Sequence, residues 1–175
     1  MGQNDGLYII YTGDGKGKTT ASLGLIFRAL GYGKRCCMVQ FMKEKPERFG
    51  EYHFARSAGV SWYAFGKGFT WNQKDLGPSI EEAMKGWLFV QQAITDGMWD
   101  VLVLDEFTYP LQEGWLNEHE VVTWLGAHRR PGSCTIITGR KASEKLIALG
   151  DIVTDMHEIK HSFKMGIPAK KGIEY

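Results

Sequence analysis

Residues 12–20 read Thr-Gly-Asp-Gly-Lys-Gly-Lys-Thr-Thr. Three glycines alternating with charged residues, closed by a lysine and a hydroxyl, are what a phosphate-binding loop requires. Glycine lets successive backbone N–H groups converge on one anion, and a helix that begins at the loop adds the positive end of its dipole. In such a loop Lys18 reaches the terminal phosphates and Thr19 offers its hydroxyl to a magnesium ion. Gly13, Asp14, Gly15, Lys16, Gly17 and Thr20 complete the cradle. The usual pattern starts with glycine five residues before the Gly-Lys pair, where this chain has Thr12. Gly13 and Gly15 remain to supply the unusual backbone angles.

Three further groups could do chemistry. Asp105 and Glu106 follow the apolar run Val101-Leu102-Val103-Leu104. A carboxylate at the end of a buried strand can hold magnesium, because that hard cation prefers oxygen ligands. Consecutive strand residues point to opposite faces, so one of the pair faces the metal, and spacing does not choose between them. Arg140, after the run Cys134 to Thr138, can reach phosphates as a fork of donors, or equally cap a helix or pair with a surface acid. Phe65-Gly66-Lys67-Gly68-Phe69-Thr70-Trp71 sets large rings in a glycine-rich loop, either packed on the domain's own surface or lining a pocket for a large flat ligand. The stretch His157-Glu158-Ile159-Lys160-His161 matches H-E-x-x-H, which binds zinc when both histidines share one helix face. Its β-branched surroundings suit an extended segment, and the only acid downstream of His161 is Glu174. An extended strand with surface histidines is therefore expected.

The elements that must position these groups alternate. A buried strand over 7–11 precedes the loop, and a helix over 18–30 follows it, with Leu23, Ile26, Phe27 and Leu30 on one face. Gly31 and Gly33 stop that helix. A second strand is expected over 35–42, a solvated loop over 43–50, a short strand over 60–65 and a loop over 66–77. Pro78-Ser79 opens a long helix with Ser79 and Glu82 at capping-box spacing and an apolar face of Ile80, Ala83, Met84, Trp87 and Leu88, continuing to Ile94. Asn117 and Glu120 cap a helix through Leu125, 134–138 is a buried strand, 143–149 a short helix, and 152–163 is ambiguous. Strands alternating with helices imply an α/β domain with a mainly parallel sheet. Parallel strands bring their carboxyl ends, and hence the loop and the acidic pair, to one edge.

Composition bounds the partners. A chain of 175 residues suits one domain, 1–175, with a sizeable core. A net charge of +1 implies no broad basic face for nucleic acid. No apolar run is long enough for a membrane span, and the N-terminus lacks the regions of a signal peptide. Gly2 only weakly matches a myristoylation start, since position 6 is Gly. Cys36, Cys37 and Cys134 read as reduced thiols of a cytoplasmic protein.

Taken in order, the loop Gly-Asp-Gly-Lys-Gly-Lys-Thr-Thr, Arg28-Ala29-Leu30-Gly31-Tyr32-Gly33, Val39-Gln40-Phe41, Gly68-Phe69-Thr70-Trp71, Val103-Leu104-Asp105-Glu106, Ile137-Thr138-Gly139-Arg140, and Lys160-His161 through Gly172-Ile173-Glu174 resemble the P-loop ATP:corrinoid adenosyltransferases of cobalamin synthesis and salvage. The resemblance implies a three-layer, RecA-type P-loop domain. It implies a reaction in which a Co(I) corrinoid (cobalamin, cobinamide or an a,c-diamide precursor) attacks the 5′ carbon of ATP and releases tripolyphosphate. Backbone N–H groups, Lys18 and Mg2+ or Mn2+ would stabilise the leaving charge. Phe69 and Trp71 would displace the lower axial ligand of cobalt, easing reduction of Co(II). In the metal role the family favours the glutamate, so Glu106 with Thr19. Arg28 and Arg140 carry over as nucleotide contacts. A homodimer and a flavoprotein-type reductase supplying Co(I) are implied as partners. Asp14 stands where relatives often carry Asn. Longer members have an N-terminal helix over the site, whereas this sequence starts about six residues before its first strand.

Two other readings compete. A P-loop ATPase or kinase-like enzyme would release orthophosphate or phosphorylate an acceptor, and would have no use for Phe69 and Trp71. A nucleotide-dependent corrinoid carrier would bind both ligands and form no cobalt–carbon bond.

Overall fold

A computed structural model describes residues 6–68 and 75–173. Six strands form one sheet in the order β3-β2-β4-β5-β1-β6. They are β1 (Leu7–Thr12), β2 (Cys36–Gln40), β3 (Ser61–Ala64), β4 (Val101–Asp105), β5 (Cys134–Thr138) and β6 (Ile152–Asp155). All five pairings are parallel, so every carboxyl end lies on one edge. The helices are α1 (Lys18–Leu30), α2 (Gly50–Ser57), α3 (Gly77–Thr95), α4 (Thr108–Gln112), α5 (Glu118–Ala127) and α6 (Glu144–Leu149).

The central strands read as unbroken apolar runs because both faces of the sheet are covered. Ile9, Met38, Val103 and Ile136 pack on one side with Ile26 of α1 and Ala55 of α2. Ile10, Val39, Leu104 and Ile137 pack on the other with Val90 of α3, Leu125 of α5 and Leu146 of α6. This alternation decides the site. Counting two residues on from Met38, Val103 and Ile136, the positions Gln40, Asp105 and Thr138 fall on the α1 face, beneath the start of the helix that follows the loop.

Several local expectations need correction. Ser79 does not cap α3: the cap position is Leu76, without a side-chain hydrogen bond, and Ser79 is buried within the helix. The buried face of α3 is Ser79, Ala83, Gly86, Val90 and Ala93, while Met84 and Leu88 are exposed. On α1 the buried residues are Lys18, Ser22 and Ile26, and Phe27 is exposed. The expected loop 43–50 contains a 3-10 turn, Pro46–Arg48, and ends where α2 begins. The capping expectation at Asn117 holds, and Ser143, expected only as the start of a short helix, is a second cap. The Asn117 side chain accepts from the N–H of Glu120, and Ser143 accepts from the N–H of Leu146. Among the described residues no helix is long and apolar enough to cross a membrane.

Candidate active site

The loop between β1 and α1 owes its shape to what lies behind it. Gly13 has φ +93°, and a Cβ there would come within 2.1 Å of Asp155 Oδ1. A Cβ on Gly15 would come within 2.7 Å of the Met156 carbonyl oxygen, and the Gly15 N–H donates to that oxygen at 2.6 Å. The segment after β6 therefore presses on the loop closely enough that both positions need glycine. Of the two, only Gly13 supplies the expected positive φ; Gly15 is needed for the close approach, and the second left-handed angle is at Gly17, φ +110°. Thr12, at the position where the usual pattern has its first glycine, is buried at the end of β1, and its hydroxyl accepts from the Ala142 N–H at 2.9 Å. That bond fastens the turn carrying Arg140 to the loop.

The same segment settles the zinc pattern. β6 stops at Asp155, two residues short of His157, and the chain from there to His161 is not helical. The two histidines share no helix face, and His161 Nδ1 instead accepts from the Phe163 N–H. Among the described residues no group of three or more His, Cys, Asp or Glu side chains could hold a metal ion.

Lys18 opens α1 and is 7% exposed, its Nζ donating to the carbonyls of Gly13 at 2.6 Å and Gly15 at 2.7 Å. Burial pulls its pKa down, and the carboxylate of Glu106 is the largest opposing influence. The helix starts at Gly17 with no side-chain cap, so the first-turn N–H groups point into the loop. A cavity of about 860 Å³ lies over this start, lined among others by Lys16, Lys18, Thr19, Lys43, Glu106 and Arg140. Lys43 is a cation that the motif reading missed. It pairs with Glu51 at 3.7 Å and stands over the Phe49 ring, and its only sequence signal was one charge in a charged stretch.

Asp105 and Glu106 have separate situations. Asp105 is fully buried and accepts from the hydroxyls of Thr19 and Thr138, each at 2.8 Å, and from Gln40 Nε2 at 2.9 Å. Glu106, with φ +57°, ends the strand's alternation and lines the cavity. Its pKa is raised, first by burial and then by the charge of Asp105, against the pull of Lys18, Lys43 and Arg140. Thr19 and Glu106 thus share one cavity with Asp105 behind Thr19. This all-oxygen donor set suits a magnesium-sized hard cation completed by phosphates and water, more than an all-protein cage.

Arg140 is exposed and pairs with Asp14 at 3.4 Å, so the loop's own aspartate meets a cation across the loop. On its other side the pair borders a second cavity of about 900 Å³, reaching Asp155, His157 and Lys164. Thr20 is exposed on the first cavity's wall. Arg28 is not brought to either cavity. It sits in the last turn of α1, about 15 Å along the axis from Lys18 at 1.5 Å per residue. Phe69 and Trp71 lie outside the described residues, as do Gly2 and Glu174.

Residues 4–175 match the family described as ATP:corrinoid adenosyltransferase BtuR/CobO/CobP. A corrinoid adenosyltransferase of Sinorhizobium sp. is 37% identical over 174 residues, covering 97% of this chain and 80% of that one. The corrinoid adenosyltransferase CobA of Salmonella typhimurium is 37% identical over 171 residues, covering 97% and 86%. Among solved structures, a KaiC-like protein, PH0186, of Pyrococcus horikoshii OT3 superposes with TM-score 0.56 at 16% identity, covering 89% of this chain and 74% of that one. That likeness concerns the fold alone, and with the parallel sheet and the loop it bears out the RecA-type α/β architecture.

Proposed function

We propose, from the premise that this chain belongs to the ATP:corrinoid adenosyltransferase family, that it transfers the 5′-deoxyadenosyl group of ATP to the Co(I) centre of a corrinoid. The observation that carries the reading is the single cavity in which Lys18, Thr19 and Glu106 face the start of α1. In the reaction the cobalt electron pair forms a Co–C bond with C5′. The C5′–O5′ bond breaks, and its pair leaves on tripolyphosphate. Cobalt passes formally from Co(I) to Co(III). No general base is needed, because the nucleophile is the metal of the substrate.

In this reading the loop from Gly13 to Thr20, with Asp14 contacting chiefly through its backbone, holds the triphosphate. Lys18 and the first-turn N–H groups face the charge that grows as C5′–O5′ breaks. Arg140 adds a fork of donors from the opposite wall. Thr19 and Glu106 would hold Mg2+ or Mn2+, which supplies Lewis-acid stabilisation of phosphate charge. By family resemblance Phe69 and Trp71 cover the corrinoid face and take the place of its lower axial ligand. The same resemblance supports a homodimer fed with Co(I) by a flavoprotein-type reductase, and a role in cobalamin synthesis or salvage. The three free thiols, all raised in pKa by burial, suit a reducing cytoplasm.

The test is to mix the protein with ATP, magnesium and chemically reduced cob(I)alamin without oxygen. The visible spectrum and the phosphate product are then followed. A light-sensitive adenosylcorrinoid with stoichiometric tripolyphosphate is expected. Orthophosphate with an unchanged corrinoid would sink the reading in favour of an ATPase.

A further inference from the structure

A chain of hydrogen bonds, buried from Asp105 onward, runs sideways from the candidate metal ligand into the sheet. The Thr19 hydroxyl donates to Asp105 Oδ1. Gln40 Nε2 donates to Asp105 Oδ2 at 2.9 Å. The Trp62 indole Nε1 donates to Gln40 Oε1 at 3.0 Å. Gln40 is 1% exposed and sits directly across from Asp105 in the β2–β4 register. Trp62 lies on the same α1 face in β3.

Donor and acceptor inventory fixes the sense of every bond. An indole N–H only donates, so it takes the amide oxygen of Gln40 and leaves the NH2 for Asp105. A reversed amide would set NH2 against the indole N–H and oxygen against the carboxylate. Asp105 is thereby held by three donors, from Thr19, Thr138 and Gln40. Thr19 has one hydroxyl proton, and it lies on Asp105. Toward the cavity Thr19 therefore presents lone pairs, which is what a cation ligand must present.

We propose that Gln40, locked by Trp62, is a positioning residue that fixes Asp105 and so aims the Thr19 hydroxyl oxygen at the metal of the nucleotide complex. The inference rests on the reading that Thr19 and Glu106 hold a divalent cation beside ATP. Neither Gln40 nor Trp62 reaches the cavity; they act through Asp105. Without the amide donor, Asp105 Oδ2 is left buried and unpartnered, and the carboxylate recovers a donor by turning away from its hold on Thr19. Partners of this kind behind a metal ligand change metal affinity by about 10–100-fold.

The experiment uses Mn2+ as the probe, titrated into the full chain with saturating ATP and followed by the electron paramagnetic resonance of the free ion. ATP binding is measured separately in chelator. Gln40→Met removes the amide's acceptor and its donor at similar side-chain length. Gln40→Glu keeps an acceptor for Trp62 and replaces the amide donor toward Asp105 with a second carboxyl. Both variants should weaken Mn2+ by about tenfold or more while metal-free ATP binding stays at the wild-type level. Unchanged Mn2+ affinity, or equal losses of ATP and Mn2+, would overturn the proposal. A second measurement needs no variant fold: in the wild-type ATP complex the Trp62 indole N–H resonance should shift further when Mg2+ is added. A resonance left where ATP alone put it would also overturn it. A wild-type chain that binds no Mn2+ with ATP would bring down the metal assignment itself. Mn2+ binding without adenosyl transfer would bring down the functional reading and leave this inference standing.

Discussion

Asp105 and Glu106 are neighbours in sequence and opposites in circumstance, so equivalent substitutions should fail differently. Asn at 105 offers one oxygen and one NH2 where three donors converge. Its NH2 faces either the Gln40 NH2 or the two threonine hydroxyls. The first is repulsive, and the second turns the Thr19 proton out toward the cation. Asp105→Asn should therefore lose about 1–3 kcal/mol of stability along with magnesium-dependent turnover. Glu106→Gln should lose turnover while its melting temperature stays level or rises, because burial disfavours the charge that it removes. Thermal unfolding by circular dichroism, with adenosylation assays beside it, checks both; a lower melting temperature for Glu106→Gln than for Asp105→Asn would reverse the assignment. The pH dependence has a definite sign. Glu106 holds its proton to higher pH folded than unfolded, so the native state binds more protons there. In metal-free buffer, wild-type stability relative to Glu106→Gln should fall as pH rises above the ordinary glutamate value of 4.5. Denaturant midpoints across that range read it directly, and a difference that grows in favour of wild type would contradict the burial argument.

The phosphate loop is shaped by the segment behind β6 as much as by its own glycines, and that dependence can be broken at one atom. Gly15 has no positive φ, so Ala there brings no intrinsic backbone strain, only a Cβ within 2.7 Å of the Met156 carbonyl. Gly15→Ala should cost about 1–3 kcal/mol and weaken ATP binding with it, measured by denaturant unfolding and calorimetry. Unaltered stability would mean that the 156–157 backbone yields without cost. This contact also marks where the sequence stops being legible. The loop, the strand before Asp105 and the cap at Asn117 were readable, because each is chemistry within a few residues. The packing face of α3 was not. Gly86 lets that helix approach Phe41 and Phe65, where a Cβ would lie 2.9 Å from the Phe41 ring and 2.9 Å from the Phe65 Cβ. Small residues therefore face the sheet, while Met84 and Leu88, which a count of apolar side chains selects, face outward. The helix α4 is too short for a period to show, and α2 has a largely polar exterior. In the site, Gln40, Trp62 and Thr138 meet Asp105 or one another across 22 to 65 positions of sequence, which no local pattern encodes.

At the scale of the whole molecule, the candidate ligand cavity is assembled from both ends of the chain. Gly15 to Thr20, Lys43, Glu106, Arg140 and Ile173 all line it, and β1 sits inside the sheet between β5 and β6. Net charge is only +1, so attraction of an anion is local, from Lys18, Lys43 and Arg140 over the start of α1. A ligand that spans these elements binds the folded chain and not the unfolded one, and its binding energy appears as stability of the whole sheet. ATP with magnesium at 100 times its dissociation constant should add about 2.7 kcal/mol, raising the melting temperature by about 5–11 °C for a chain of this size. Lys18→Ala removes the ammonium at the loop's centre and should abolish most of that rise, although it leaves β1 and its neighbours intact. Scanning calorimetry of both proteins with and without ATP decides the matter. A rise of equal size in the two would place the nucleotide elsewhere than on this loop. A rise confined to the wild type would show that the sheet edge, the loop and the nucleotide melt as one unit.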